Sequence, residues 1–382
     1  MTNQQEAVIE NLRTPPNDSC PPIVLLLGAR NSGKSTFSRF FVNRMLRSHQ
    51  AVMYLDCDLG QSEFMPPGFL SLTKRSVPIF GTPCCHLQKP EKAYFIGDTT
   101  CQRDPHYYLL CIKELYQLYN GKYSNFPLIV NTHGWLVGLG LMIIECICTI
   151  VNPSDIVLLA ITEKEFTEKF STLLNAKADY FGVVKERKRS FSKVTVTNIH
   201  AVEGYKRKRK SKTLKYKASF HRLMSLAVYF ACCTPICFQA PYEVSLDDVQ
   251  VELLYDVVAK TQHLCAINGN FVGLCVADKP GPKRPLECLG LAIVRAVDVG
   301  NRKLYINTPL DARELERVNV LQKGVIEIPI VMRTQGAYGH VPYTQQPVYS
   351  GSKGRRSVNR HIMGSGKKVN RLVKRKRLMR SR

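Results

Sequence analysis

The sequence predicts an α/β chain: a doubly wound parallel sheet, then a smaller β-rich domain, then a basic tail. Three observations carry that expectation. From residue 23 onward, apolar runs alternate with stretches of helical period, the signature of strand and helix taken in turn. Residues 28–35 read Gly-Ala-Arg-Asn-Ser-Gly-Lys-Ser, a complete G-x-x-x-x-G-K-[ST] loop with a strand before it and a helix after it. After about residue 240 the texture changes to short β-type runs, and beyond Tyr343 to Gly, Ser, Arg and Lys.

The elements follow in order. Residues 1–20 form a short polar leader broken by Pro15-Pro16, with Pro21-Pro22 next. Ile23 to Leu27 is an apolar strand of the kind a parallel sheet buries on both faces. Ser35 to His49 predicts a helix, with Phe37, Phe40, Phe41 and Met45 at helical spacing. Ala51–Leu55 is the second strand and Ala93–Ile96 the third. A helix at about 105–120 leads to the strand Pro127–Val130. Trp135 to Val151 is nearly all apolar, interrupted only by Glu145. It falls short of the ~20 residues a membrane span needs, which predicts a helix buried against the sheet. Asp155–Ala160 is a further strand. Residues 161–217 hold a charged helix, a short strand and the run Lys206-Arg207-Lys208-Arg209-Lys210, and a helix from Phe220 to Phe230 resumes the core. In the β-rich part, Asn268-Gly269-Asn270 predicts a hairpin between Leu264–Ile267 and Phe271–Leu274. Strands at Cys288–Val297, Lys303–Ile306 and Gly324–Val331 complete it. The expected division is a P-loop domain at 21–240 with a basic insertion and lid at 161–230, a β-rich domain at 241–345, and a disordered tail at 346–382.

The charge is confined. Residues 185–217 hold thirteen Lys/Arg against two Glu, and residues 351–382 thirteen with no acid, so two segments account for the whole net charge of +24. That distribution suits contact with a polyanion, the alternative being two solvated segments without a specific partner. The fourteen cysteines include Cys111, Cys146, Cys148, Cys265, Cys275 and Cys288 inside apolar runs, where thiols behave as small hydrophobes. Cys84-Cys85-His86 and Cys232-Cys233…Cys237 lack a matching second half, so no zinc site is expected. The start carries no secretory signal, and reduced cysteines in an intracellular protein are expected.

The chemistry begins at the loop. Backbone N–H groups of Gly28, Ala29, Arg30, Asn31, Ser32 and Gly33 and the helix N-terminus can close around a polyphosphate, making this a P-loop NTPase-type sheet. Lys34 would reach the β- and γ-phosphates, while Ser35, with Thr36 beside it, would help hold Mg²⁺. The second strand ends in Asp56-Cys57-Asp58-Leu59-Gly60-Gln61, with carboxylates where a parallel strand opens into the phosphate crevice. One carboxylate can orient Mg²⁺ and another can accept a proton from an attacking hydroxyl; the alternative is an ordinary strand-end turn. Thr132-His133-Gly134-Trp135 ends the strand at 127–131. Trp135, the only tryptophan, either stacks on a nucleobase or anchors the apolar helix that follows.

In their order, GARNSGKS, DCDLGQ and THGW closely resemble the polynucleotide 5′-hydroxyl kinases, over roughly residues 21–345. Gly97-Asp98-Thr99-Thr100 also resembles the family's segment between strand and helix. The basic character and the β-rich C-terminal part look most like the family's nucleolar, ribosomal-RNA-processing branch. The resemblance implies that Asp58 is general base and metal contact together with Ser35, and that Asp56 matches a less constrained position. It implies that Gln61, Thr132, Gly134 and Trp135 meet the RNA end, the last three forming a clasp. It implies a lid near Lys217–Tyr229 whose Arg222 closes over the transferring phosphate. The family commonly supplies two lid arginines; Lys217 offers charge without the bidentate fork, surface solvation being its alternative. Only about twenty residues precede the first strand, where the family usually carries an N-terminal β domain that helps hold the base.

The implied activity is transfer of the γ-phosphate of ATP, with Mg²⁺, to the 5′-hydroxyl of RNA, with Lys34, Asp58 and Arg222 as the catalytic set. The implied substrate is pre-ribosomal RNA cut by an endonuclease partner, and the implied location is the nucleus and nucleolus. The basic runs at 206–210 and 374–377 would serve RNA attachment and targeting, and no membrane partner is expected. Two other readings stay open: an ATPase or GTPase switch in assembly, and an RNA-binding scaffold without catalysis.

Overall fold

Strand Ile23–Gly28 (β1) is a run of Val and Leu whose alternate residues enter different cores, which sets the layering of the computed structural model. Val24 and Leu26 pack with Phe37, Phe41 and Met45 of helix Lys34–Met45 (α1) on one face. Leu25 and Leu27 pack on the other face against helices Pro105–Leu118 (α2) and Leu139–Val151 (α3). A strand apolar at every position is thus a strand covered on both sides. The structure describes residues 21–159, 181, 183, 195–199, 217–231, 241–256, 258–277 and 284–329.

Strands Val52–Asp56 (β2), Leu128–Asn131 (β5), Asp155–Leu159 (β6) and Thr195–Ile199 (β7) join β1 in the parallel order β7-β6-β1-β5-β2. Leu26 pairs with Asn131, and Asn131 with Asp56, so three strand ends stop at one level. The helices are locally signalled. Gly33 opens α1 in the left-handed region (φ 97°), and Asp104 caps α2 by accepting from the Tyr107 amide, ahead of Pro105. Asn152, also left-handed, closes α3.

The sheet does not end at β2. Phe69–Arg75 (β3) pairs antiparallel with β2, and Lys92–Phe95 (β4) with β3. Tyr94 of β4 then pairs with Glu287 of the long strand Glu287–Asp298 (β11). Through β11 the sheet continues into Phe271–Val276 (β10), Val320–Lys323 (β13) and Gln250–Leu253 (β9), with Lys303–Asn307 (β12) and Tyr242–Ser245 (β8) branching off. The parallel, doubly wound half and the β-rich part are therefore one mixed sheet. Helix Ala218–Ala231 (α4) lies across the junction, with Leu226 and Phe230 packed among Phe69, Phe95, Phe271, Cys288 and Leu291.

Several expectations are corrected. β3 lies between the expected second and third strands; its Ser71 and Thr73 interrupt the apolar run, although both are buried. The expected hairpin is a helix–turn–strand: His263–Ile267 is a short helix (α5), Gly269 turns at φ 67°, and β10 pairs with β11 instead. Cys265 is exposed on that helix rather than buried, whereas Cys111, Cys146, Cys148, Cys275 and Cys288 are buried. Among the described residues the last strand is Val320–Lys323, and 324–329 are not strand; Gly324 presses on Gly97, and a Cβ on Gly324 would come within 2.2 Å of the Gly97 oxygen. The apolar helix begins at Leu139, so Trp135 precedes it. Among the described residues no helix is long and apolar enough to cross a membrane. The leader, the charged helix in 161–194, the runs at 206–210 and 374–377, Cys232, Cys233 and Cys237, and the tail lie outside the described residues.

Candidate active site

Because β1, β5 and β2 are neighbours, the three motifs that follow them in sequence meet side by side at their C-terminal ends. This is the edge of an open α/β sheet where ligands bind. The glycine loop turns through left-handed residues Asn31 (φ 66°) and Gly33 (φ 97°). Gly28 admits no side chain, since a Cβ would meet Ser32 Oγ at 2.3 Å and the Leu159 oxygen at 2.8 Å. Lys34 is buried and turns its ammonium back onto its own loop, donating to the Gly28 oxygen at 2.7 Å and the Ala29 oxygen at 3.3 Å. Burial lowers the Lys34 pKa, and Asp58 opposes the shift.

The two aspartates have separate tasks. Asp56 is fully buried; its Oδ1 accepts from the Asp58 amide and from Asn131 Nδ2 (3.0 Å), its Oδ2 from the Glu63 amide (2.7 Å). Its carboxyl thus organises the turn and ties it to Asn131 at the end of β5. Asp58 is half-buried, and its Oδ1 accepts from the Gly60 and Gln61 amides, at 3.0 and 3.3 Å. That leaves Oδ2 unspent by the turn. Burial raises the Asp58 pKa, against the pull of Lys34 and Arg30. Tyr108 on α2 supports the turn from below, donating to the Cys57 oxygen at 2.6 Å.

The tetrapeptide after β5 is locked to the glycine loop. Thr132 is fully buried and donates its hydroxyl to the Leu26 oxygen of β1 at 2.6 Å, so it positions the clasp rather than presenting a surface. Gly134 lies on the loop backbone; a Cβ there would stand 2.8 Å from the Arg30 nitrogen. Trp135 is half-exposed and lies over Gly140, where a Cβ would meet its ring at 2.4 Å. The tryptophan therefore spreads over the first turn of α3 instead of filling the core.

Arg222 reaches the same place from α4. Burial and the charge of Arg30 lower its pKa while Asp58 raises it, so the three side chains share one electrostatic neighbourhood. Helical spacing explains how: Arg222, Leu226 and Tyr229 lie along one stripe. Leu226 is rooted in the junction core, and the Tyr229 hydroxyl accepts from the Leu291 amide at 2.9 Å. Arg222 lines a cleft of about 190 Å³ with Ser35, Gly60, Gln61, Ser62, Arg39 and His221, among others. Thr36 is exposed on the first turn of α1, and Lys217 is exposed just ahead of α4.

Sequence reasoning passed over several members of this site. Arg39 forms a two-pronged pair with buried Glu63 (2.5 and 3.2 Å), which also meets His86 Nε2 at 2.7 Å. Arg39 lines the cleft and Glu63 and His86 are buried behind it, yet each lies at an unremarkable sequence position. Asn131 and His133 adjoin recognised motif residues, and that adjacency was the available signal.

The P-loop model of the mRNA cleavage and polyadenylation factor CLP1 matches residues 28–230, and the NOL9-like C-terminal domain model matches residues 237–329. The chain is 32% identical over 380 residues to a mouse protein named polynucleotide 5′-hydroxyl-kinase NOL9, covering 88% of this chain and 53% of that one. It is 31% identical to the Arabidopsis thaliana protein of the same name, covering 81% and 86%. The chain spans about half the length of the mouse relative and of the human one, of which it covers 52%. In fold it is similar to Clp1p in the Clp1p–Pcf11p complex, with a TM-score of 0.59, 15% identity, and coverage of 84% and 77%. With its loop, its paired aspartates and its clasp on three neighbouring strands, the chain belongs to the CLP1 P-loop family and carries the NOL9-like C-terminal domain behind it.

Proposed function

We propose that this chain transfers the γ-phosphate of ATP to the 5′-hydroxyl end of RNA. The observation that supports it is that Lys34 and Arg222 both act electrostatically on Asp58, beside a cleft that Arg222 lines with Ser35 and Gln61. Phosphoryl transfer asks the protein mainly for alignment and charge neutralisation, and these groups supply both. Residues 28–36 hold the polyphosphate, and Lys34 swings from its loop carbonyls onto the β- and γ-phosphates. Asp58 takes the proton of the 5′-hydroxyl; a carboxylate whose pKa is raised by burial is the better base for it. Arg222 neutralises the transferring group from the lid side. Trp135 stacks on the terminal base, worth ~1–3 kcal/mol, and Gln61 contacts the acceptor strand at the cleft wall. Thr132 and Gly134 act by holding that tryptophan against the loop.

The hard oxygens of Ser35 and Asp58 fit Mg²⁺, and the oxygen of Asp58 not spent on its turn is the one available to it. When bound, the ion would offset charge between the phosphates. The relatives' shared name, polynucleotide 5′-hydroxyl-kinase, supports the acceptor. The confined basic runs support RNA over a small acceptor. We place the substrate in pre-ribosomal RNA, downstream of an endonuclease partner, in the nucleolus.

The test is transfer from labelled ATP to a 5′-hydroxyl oligoribonucleotide. Wild type should label the RNA, and Lys34→Ala and Asp58→Ala should each lose transfer by a hundredfold or more (about 10²–10³). ATP hydrolysis without labelled RNA would identify a switch instead. RNA binding that survives Lys34→Ala without any transfer would identify a scaffold.

A further inference from the structure

His133 lies between the two residues that fix the clasp. The Trp135 amide donates to its Nδ1 at 3.3 Å, so the neutral ring carries its proton on Nε2. Nε2 is closed off from solvent and has no hydrogen-bond partner among the described residues. Burial, reinforced by the charge of Lys34, pushes the His133 pKa down to about 4, so the ring is neutral at physiological pH. Its backbone is held on both sides, by the Thr132 hydroxyl on Leu26 and by Gly134 against Arg30. Ser32 Oγ, within the glycine loop, is likewise closed off and without a partner. A buried donor lacking an acceptor is a cost the fold carries unless a ligand relieves it.

We propose that His133 Nε2–H donates to the terminal phosphate of the bound nucleoside triphosphate, a contact made from the segment that follows β5 and lies against the loop. Phosphate oxygens are acceptors only, which matches an orphaned N–H. A neutral donor also adds no positive charge beside Lys34 and Arg30. The inference rests on the loop as a triphosphate site and not on RNA transfer.

Calorimetric titration of the full chain with ADP and with a β,γ-methylene analogue of ATP, both with Mg²⁺, tests it. H133L should weaken the triphosphate analogue about tenfold, the size of one buried hydrogen bond, and ADP less than twofold. H133Q, whose amide can place an N–H near the lost one, should restore most of the difference. An unchanged ratio between the two nucleotides, or equal losses on both, would overturn the proposal. If H133L melts well below wild type, H133N replaces it with the same two outcomes, its shorter amide falling short of the Nε2 position. Because binding is the readout, a chain that discriminates triphosphate through His133 yet labels no RNA would sink the kinase reading alone. Labelled RNA with an unchanged ratio would sink this proposal alone.

Discussion

Gly134 lies flat on the backbone of Arg30: a Cβ at Gly134 would stand 2.8 Å from the Arg30 nitrogen and 3.1 Å from its Cα. Backbone cannot yield as a flexible side chain can, so the loop and the clasp share one surface. Gly134→Ala should therefore weaken ATP binding by tenfold or more (about 1.4 kcal/mol per decade), although residue 134 is not part of the loop. Titration of the variant with ATP, alongside a melting curve near that of wild type, checks this.

Trp135 is the sole tryptophan and is half-exposed, so emission excited at the red edge, where tyrosine does not absorb, reports on it alone. Adding a single-stranded oligoribonucleotide should quench that emission. Trp135→Ala should raise the RNA KM by ~5–100-fold, one lost stacking contact, and leave ATP affinity within about twofold. An emission spectrum indifferent to RNA would remove Trp135 from the acceptor site.

Arg222 couples to Asp58 at the cleft, and its helix is pinned at the far end by Leu226 and Tyr229. Arg222→Lys keeps the charge and loses the fork, so kcat should fall about tenfold; Arg222→Ala should fall about a hundredfold or more. Tyr229→Phe removes the hydrogen bond to the Leu291 amide and should lower kcat severalfold without contacting substrate. Steady-state kinetics of the three variants rank these effects.

Burial raises the Asp56 pKa to about 8, against the donors of Glu63, Asn131 and Asp58 that pull it back. The folded state thus binds this proton more tightly than the unfolded chain, where an aspartate titrates near about 4. The stability it contributes is complete below about pH 4 and is lost as pH rises toward 8. Urea midpoints should fall across that window. Asp56→Asn should flatten the decline and, by facing an amide toward donors, should cost about 1–3 kcal/mol at the acid end.

The run Lys206–Lys210 tests the charge argument in the same spirit. Replacing its five cations with Ser should reduce the salt slope of RNA binding by about 3 to 4 if all five meet phosphates. Transfer to a short oligonucleotide at low salt should change little.

Some of the site is written in local chemistry, and that part was legible. A glycine loop, a strand-end aspartate pair and a T-x-G-W tetrapeptide need only a few consecutive residues each. The apolar period that alternates Leu25 with Leu26 likewise announces a sheet covered on both faces. What could not be seen was each side chain's partner. Asp56 and Asp58 are two residues apart and chemically identical, yet one is spent on three N–H donors and the other keeps an oxygen. Thr132 looks like a ligand contact in sequence and proves to be a strand-to-strand bond. Arg39, Glu63 and His86 carry no local signal, because their meeting depends on the turns between them.

By itself, then, the sequence determined the parallel α/β half, the phosphate loop and the residue types that could do chemistry, all set by propensities acting over a few residues. Tertiary structure alone decided that β1, β5 and β2 end side by side, and that β4 and β11 make one sheet of two regions. It also decided that α4, rooted across that junction, carries Arg222 to Asp58. Those outcomes depend on long-range hydrogen-bond register and on packing. Both are set by the whole chain folding together and by no segment alone.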